Sequence, residues 1–157
     1  MIKPKTFFML TFAVIAHALT LNAAAILPGP LPVNNVRSEK TAVLAALTKS
    51  IEYDNASAGL RESYYTNLDK LAKTIADGNY AVSLRGHADG VGGYKYNWVL
   101  SDHRAIGVKD YLVSKGVSPE NIVTTPYGSS LPVASNQTAA GRQKNRRVEI
   151  VLKKISK

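Results

Sequence analysis

Apolar residues recur every three or four positions in two stretches of the chain, which is the spacing of an amphipathic helix. The first stretch covers residues 60–75, with Ser57 as a candidate N-cap and Gly78 as the stop. The second covers residues 97–115 and ends at Gly116. Because each pattern leaves one apolar face, we expect both helices to pack against a common layer.

Shorter β-prone runs stand before, between and after these helices. They cover residues 49–53, 80–84 and 122–125, and a fourth run at 148–152 alternates apolar and polar residues as a half-buried strand does. Residues 128–141 form a loop region with room for one short helix. Strands that alternate with helices predict an α+β fold, a two-layer α/β sandwich with helices packed on one sheet.

The amino terminus has the order of features found in a secretory signal peptide. Lys3 and Lys5 precede an apolar run at residues 7–21, and the alanines at 23–25 offer a cleavage site. A membrane anchor is the alternative, but a span needs about 20 apolar residues and this run is shorter. We therefore expect an exported chain with a signal peptide at residues 1–25. No other segment is apolar enough to predict a transmembrane span.

Residues 26–48 are predicted to form a linker and a short N-terminal segment. The prolines in this segment favour an extended leader as far as Asn35. The alanine-rich residues 37–47 favour a helical turn or two. A folded domain is expected only after this segment.

Composition narrows the class of protein. Hydrophobic residues make up 45% and charged residues 20% of the 157 residues, which excludes a disordered chain and allows one domain. No cysteine is present, so disulfides, thiolate metal sites, a cysteine nucleophile and a lipid-modified cysteine are excluded. Lysine and arginine outnumber the acidic residues by 20 to 11, and the net charge of +9 favours an anionic partner.

Three motifs follow one another in the second half of the chain. Gly-His-Ala-Asp occupies residues 86–89, and the pattern N-x-x-L-S-x-x-R-A-x-x-V-x-x-x-L occupies residues 97–112. Gly-Arg-Gln-Lys-Asn-Arg-Arg-Val-Glu-Ile occupies residues 141–150, after a P-x-x-x-N-x-T segment at 132–138. In this order the motifs resemble the OmpA-like C-terminal domain family, which includes Pal and the periplasmic domain of MotB. The resemblance covers residues 49–153 and implies the order β-α-β-α-β-β on a mixed sheet.

The resemblance implies non-covalent binding of peptidoglycan through the diaminopimelate of its stem peptide, anchoring the protein or its complex to the cell wall. Diaminopimelate ends in a carbon that carries one ammonium and one carboxylate. Asp89 is suited to accept the ammonium, and the Arg104 guanidinium is suited to grip the carboxylate with two parallel hydrogen bonds. The resemblance also implies ligand contacts from the helix residues Asn97 and Leu100 and from the loop residues Tyr53, Asp54 and Asn55.

Two features of the motifs qualify this assignment. Ala88 stands where the family usually has threonine, and a lost hydroxyl hydrogen bond would weaken binding by about 0.5–1.5 kcal/mol. The third motif carries Arg142, Asn145, Arg146 and Arg147, which we expect to support the fold through internal hydrogen bonds rather than to touch ligand.

Other functional classes are less well supported by the sequence. His87, Asp89, Ser101 and His103 invite a catalytic or metal-binding interpretation, but the H-E-x-x-H and G-x-S-x-G patterns are missing. We expect no catalysis, no metal and no cofactor. The signal peptide argues against a nucleic-acid partner. The expected location is the periplasm, in association with peptidoglycan, with association to the outer membrane left open.

Two alternatives to a free-standing wall binder remain open. The first is a wall-anchored structural subunit of an envelope or secretion complex, with residues 26–48 as its docking element. The second and less favoured alternative is a cell-wall hydrolase.

Overall fold

The computed structural model describes residues 33–155. The signal peptide predicted for residues 1–25 and the first part of the predicted linker lie outside them. Helix α1, Val33–Leu47, begins inside the stretch for which the prolines predicted an extended leader, and it is longer than the predicted turn or two. Its last residue, Leu47, is buried in the core, so packing holds this end of the helix.

The remaining elements alternate along the chain as the sequence predicted. They are β1 (Ile51–Glu52), α2 (Tyr65–Gly78), β2 (Tyr80–Gly86), α3 (Tyr94–Ser114), β3 (Ile122–Pro126), α4 (Ala139–Asn145) and β4 (Arg147–Lys154). Short 3₁₀ helices at Glu62–Tyr64 and Pro119–Asn121 precede α2 and β3. Within the described chain, no helix has both the length and the hydropathy that a membrane span requires.

The four strands of residues 33–155 form one mixed sheet in the order β1-β4-β2-β3. β2 pairs with β3 in parallel, whereas β4 pairs antiparallel with both β1 and β2. The parallel pair needs a crossover connection, and α3 supplies it. The predicted α+β fold with a mixed sheet is therefore confirmed, with the short helix α4 inserted between the last two strands.

One apolar core lies between this sheet and the helices α2 and α3. Its buried side chains include Leu68, Leu71 and Ile75 of α2, Ala105, Val108 and Leu112 of α3, and Val82, Leu84, Val148 and Ile150 of the strands. On the other face of the sheet, Val123 and Val151 are 60% and 40% exposed. Helices α2 and α3 thus pack on one face of the sheet, as predicted.

The ends of α2 differ from the sequence prediction. The helix begins at Tyr65, after a 3₁₀ helix, and the Ser57 hydroxyl instead accepts a hydrogen bond from the N–H of Gly59. Gly78 is still helical, and the chain leaves the helix at Asn79, which has a left-handed φ of 53°. Asparagine tolerates this conformation better than most residues, so it ends the helix where glycine was expected.

Gly86 sets how closely the end of β2 approaches α3. A Cβ at this position would lie 1.9 Å from the carbonyl oxygen of Ser101, so only glycine fits. The loop after β2 carries Asp89 and consequently lies against α3. The Asn97 side-chain amide donates to the Asp89 carbonyl at 3.2 Å, which ties this loop to the helix.

Candidate functional site

A cavity of about 180 Å³ opens where the loops after β1 and β2 meet α3. It is lined by Asn55, Ala56, Asp89, Val91, Gly92, Tyr96, Asn97, Leu100, Arg104 and Arg146. Five of these residues were predicted from the sequence, namely Asp89, Arg104, Asn97, Leu100 and Asn55. The fold therefore brings together predicted residues that are up to 49 positions apart in the sequence, from Asn55 to Arg104.

Arg104 lies at the base of this cavity and is fully buried. Its guanidinium donates to three backbone carbonyls, those of Ser57 at 2.8 Å, His87 at 2.9 Å and Asp54 at 3.1 Å. Because a guanidinium has five N–H groups, one N–H on each terminal nitrogen remains for a ligand. Burial lowers the pKa of Arg104 to about 10, so the side chain still carries its charge at neutral pH.

The charge of Arg104 has no anionic partner in the part of the chain that the structure describes. Its hydrogen bonds go to neutral carbonyls, and no carboxylate lies within the 4.0 Å of an ion pair. A buried charge without a counter-charge is costly, and an anion that enters the cavity would supply one. The geometry and the charge of Arg104 thus favour a carboxylate or another oxyanion.

Asp89 lies across the same cavity but is bound to a different arginine. Its Oδ2 accepts from Arg146 Nη1 at 2.8 Å, and its Oδ1 accepts from the N–H of Val91 at 2.9 Å. Each carboxylate oxygen accepts two hydrogen bonds, so two acceptor positions remain. Asp89 is 5% exposed and lines the cavity.

Arg146 combines two roles, of which the sequence analysis expected one. Its Nε donates to the carbonyl of Tyr53 at 3.1 Å, and its Nη2 donates to Gln143, which are the internal hydrogen bonds expected of this motif. It also lines the cavity and pairs with Asp89. Arg146 follows the last residue of α4 and Arg147 is the first residue of β4, so strand periodicity in the sequence did not report the direction of the Arg146 side chain.

Asn97 shapes the cavity rather than leaving its amide free. The amide nitrogen donates to the carbonyl of Val91 at 3.0 Å as well as to that of Asp89. Gly92 follows with a φ of +93°, which lets the loop turn back toward α3. Leu100 is half-buried and Tyr96 is exposed, and together they give the cavity an apolar wall.

The loop after β1 contributes differently from what the resemblance implied. Tyr53 is fully buried, its hydroxyl donates to the Arg104 carbonyl at 3.2 Å, and burial raises its pKa above the ordinary value. The Asp54 carboxylate is turned to Arg61, whose hydrogen bond lowers the pKa of Asp54. Their side chains therefore do not line the cavity. Tyr53 supports Arg104 from beneath, and Asp54 holds it through a backbone carbonyl.

The rest of the third motif makes internal hydrogen bonds, as expected. Arg142 donates to the Asn136 carbonyl at 2.9 Å, and Asn145 holds the chain at Val133 and Ala134 through its side-chain oxygen. Ala88 is buried, and the N–H of Ala88 donates to the Gly128 carbonyl at 2.8 Å. The backbone therefore pins the loop at the position where the family usually has a threonine hydroxyl.

Among residues 33–155, no group of three or more histidine, aspartate or glutamate side chains is placed to hold a metal ion. The cavity offers instead one unbalanced guanidinium and one carboxylate with spare acceptor positions. This pair suits a ligand that carries an anionic and a cationic group close together.

Comparison with known proteins agrees with the motifs. Residues 53–146 match the OmpA family. Over 126 residues the chain is 39% identical to the peptidoglycan-binding protein ArfA of Mycobacterium tuberculosis, an overlap of 80% of this chain and 39% of ArfA. The chain thus spans about two fifths of the length of that relative.

Solved structures share the fold. The peptidoglycan-associated lipoprotein from Burkholderia pseudomallei has a TM-score of 0.65 at 26% identity, covering 66% of this chain and 89% of that one. The cell wall anchor of the T6SS from Pseudomonas aeruginosa has a TM-score of 0.55 at 32% identity, covering 64% of this chain and 76% of that one. With the family matched over residues 53–146, the chain belongs to the OmpA family.

Proposed function

We propose that this domain binds peptidoglycan non-covalently and that the zwitterionic end of diaminopimelate occupies the cavity between Asp89 and Arg104. The buried Arg104 guanidinium carries the proposal, because it forms no ion pair within the described residues and lines a cavity large enough for an amino-acid tip, whose carboxylate would supply a counter-charge. Membership of the OmpA family and the similarity to a peptidoglycan-binding relative support it.

In the proposed complex, the ligand carboxylate accepts the two remaining N–H groups of Arg104. The ligand ammonium donates to the free acceptor positions of Asp89, whose orientation is held by Arg146. The aliphatic chain of the ligand lies against Leu100 and Tyr96. Recognition of both charges on one carbon would distinguish diaminopimelate from lysine, which lacks the carboxylate at the end of its side chain.

The decisive experiment needs no mutation. A soluble stem peptide that carries diaminopimelate should displace the wild-type protein from purified sacculi in a co-sedimentation assay. The same peptide with lysine in place of diaminopimelate is the matched control and should displace far less protein. Equal displacement by the two peptides would contradict the proposed recognition of the side-chain carboxylate.

Variants of Asp89 and Arg104 then test which residue binds each charge of the ligand. Asp89→Asn and Arg104→Gln should each weaken binding to sacculi by about 2–5 kcal/mol, since each leaves a buried charge of the ligand unpaired. Arg61→Gln is the control, because it removes one positive charge at an exposed position outside the cavity. Circular dichroism checks that each variant is folded. Unchanged binding by folded Asp89→Asn and Arg104→Gln would contradict the site.

The similarity to a cell wall anchor of the T6SS favours a second candidate, in which the domain anchors an envelope or secretion complex in the periplasm. A pull-down from envelope extract with and without residues 26–48 separates this candidate from a free-standing wall binder.

Binding rather than catalysis is proposed for the cavity. Muropeptides released from sacculi by the pure protein would contradict that part and favour a hydrolase.

A further inference from the structure

A cavity of about 320 Å³ adjoins the cavity that we propose for diaminopimelate. Asn55, Val91 and Arg146 line both cavities, so the two lie side by side. Ala139 and Arg142 of α4 complete the lining of this adjoining cavity. A ligand that is longer than the diaminopimelate cavity can therefore extend past Arg146 toward α4.

Arg142 gives the adjoining cavity its charge. Its Nη1 donates to the carbonyls of Asn136 at 2.9 Å and Gln137 at 3.2 Å, which holds the guanidinium in place. Within residues 33–155, the N–H groups of its Nε and Nη2 have no hydrogen-bond partner, and no carboxylate forms an ion pair with it. Nε and Nη2 form one edge of a guanidinium, and their parallel N–H groups match the two oxygens of a carboxylate.

The other side chains of the adjoining cavity leave this charge unbalanced. Arg146 is paired with Asp89 at 2.8 Å, so its own charge is already offset. The described residues that line the cavity include no aspartate or glutamate. Asn55 is exposed there, and its side-chain amide forms no hydrogen bond with the part of the chain that the structure describes. The cavity thus offers one free guanidinium edge and one free amide donor, which together suit an anionic oxygen ligand.

Stem peptides carry further carboxylates near the zwitterionic tip of diaminopimelate. The glutamate before diaminopimelate is joined through its side-chain carboxyl group, so its α-carboxylate is free. The last residue of the peptide carries the terminal carboxylate. Either group lies about 10 Å from the tip when the chain is extended, a reach that allows it to enter a cavity beside the one that holds the tip.

We propose that the adjoining cavity binds a second carboxylate of the same stem peptide, through the guanidinium of Arg142 and the amide of Asn55. This inference rests on the proposed function, because the diaminopimelate tip must occupy its own cavity to bring the second carboxylate to α4. Affinity for peptidoglycan then depends on whether that carboxylate is free or amidated. Peptidoglycan in which it is amidated binds more weakly, although its diaminopimelate is intact.

Calorimetry with soluble tetrapeptides tests this without a mutation. The peptide contains alanine, glutamate joined through its side chain, diaminopimelate and alanine. It is compared with one form that is amidated at the glutamate α-carboxyl group and another that is amidated at the carboxyl terminus. One of the two amides should bind the wild-type protein about tenfold more weakly than the free peptide, because a charged acceptor for Arg142 is lost.

The amide that binds more weakly identifies which carboxylate occupies the adjoining cavity. Equal affinity of the free peptide and both amides would overturn the inference. An equal loss with both amides would show general attraction of anions and would overturn it as well.

Charge variants of α4 assign the effect to Arg142. In Arg142→Gln the difference in affinity between the free peptide and the weaker amide should disappear. Lys144→Gln is the matched control, because it removes one positive charge from an exposed position of the same helix that lines neither cavity. Lys144→Gln should therefore keep the tenfold difference. The same result in both variants would overturn the inference, and the peptide comparison on the wild type stays decisive if Arg142→Gln does not fold.

A tetrapeptide with lysine in place of diaminopimelate separates this inference from the proposed function. It should bind far more weakly than the diaminopimelate peptide in the wild type and in Arg142→Gln, because Asp89 and Arg104 are unchanged in both. A retained preference for diaminopimelate with no effect of amidation would overturn this inference alone. Loss of the preference in the wild type would contradict the proposed function, and the inference with it.

Discussion

Two cavities lie near the end of β2, the one lined by Asp89 and Arg104 and a second of about 280 Å³ lined by His87 and Arg147, and neighbouring residues of the same motifs divide between them. Asp89 and Arg146 line the first cavity, and His87 and Arg147 line the second. Arg146 and Arg147 separate where the chain passes from the end of α4 into β4. His87 and Asp89 separate because the chain has left the strand after Gly86. The motifs at residues 86–89 and 141–150 therefore contribute side chains to two cavities of different chemistry.

The polar groups of the two cavities differ in how completely the protein satisfies them. In the first cavity, Arg104 donates to three carbonyls and Asp89 is paired with Arg146, so both side chains are fixed before a ligand arrives. In the second cavity, the His87 ring has no hydrogen bond within the described chain. The first arrangement favours affinity for a ligand through preorganisation, whereas the second leaves a buried polar ring without hydrogen bonds from the described residues.

A methyl group at Gly86 should disrupt both cavities at once and is expected to have the largest effect. In Gly86→Ala the new Cβ would lie 1.9 Å from the Ser101 carbonyl oxygen, so α3 must move away from β2. We expect a loss of more than about 3 kcal/mol in the free energy of unfolding, measured with urea, because the obstacle is backbone. Gly93→Ala is the control, since a Cβ there meets no described atom within 4 Å. Equal stability of the two variants would contradict the close approach.

Arg146→Gln should affect the cavity that Asp89 and Arg104 line. The variant leaves the buried Asp89 carboxylate without its ion-pair partner, which should lower the free energy of unfolding by about 3 kcal/mol and weaken binding to sacculi. The exposed Arg61–Asp54 pair supplies the comparison, and Arg61→Gln should leave both measurements unchanged. Equal losses in Arg146→Gln and Arg61→Gln would contradict the role assigned to the buried pair.

Acid should lower the free energy of unfolding through protonation of His87, because burial lowers the pKa of this ring. The folded-state pKa of about 4 lies below the ordinary 6.5, so the unfolded chain takes up a proton first as the pH falls. The contribution of neutral His87 to the free energy of unfolding is complete above about pH 6.5 and is lost as the pH falls toward about 4. The loss between pH 7 and pH 5 is about 2 kcal/mol. Urea unfolding at both pH values should show this loss in the wild type and in His103→Gln, but not in His87→Phe. An identical pH dependence in His87→Phe would assign the loss to other groups.

Residue patterns were sufficient for the fold because its elements follow local rules. The helix periodicity and the strand alternation predicted the two layers. The motifs predicted Asp89, Asn97, Leu100 and Arg104, and the family resemblance predicted Asn55, as residues of one site, and all five line one cavity. The pairing of Asp89 with Arg146 depends on the β1–β4–β2 order, which brings residues 57 positions apart into contact. No local sequence pattern predicts such a contact. The end of α2 at Asn79 shows the same limit on a smaller scale, because a left-handed asparagine replaced the expected glycine.

Asp54→Asn should have the smallest effect and sharpens the boundary of the first cavity. The resemblance implied that the Asp54 side chain contacts ligand, but the structure uses its backbone carbonyl to hold Arg104 and turns its carboxylate to Arg61. Because asparagine keeps the carbonyl, sacculus binding by Asp54→Asn should equal that of the wild type, while Asp89→Asn loses it. A loss as large as that of Asp89→Asn would mean that the loop after β1 rearranges when ligand binds, bringing the carboxylate of Asp54 to the ammonium that we assign to Asp89.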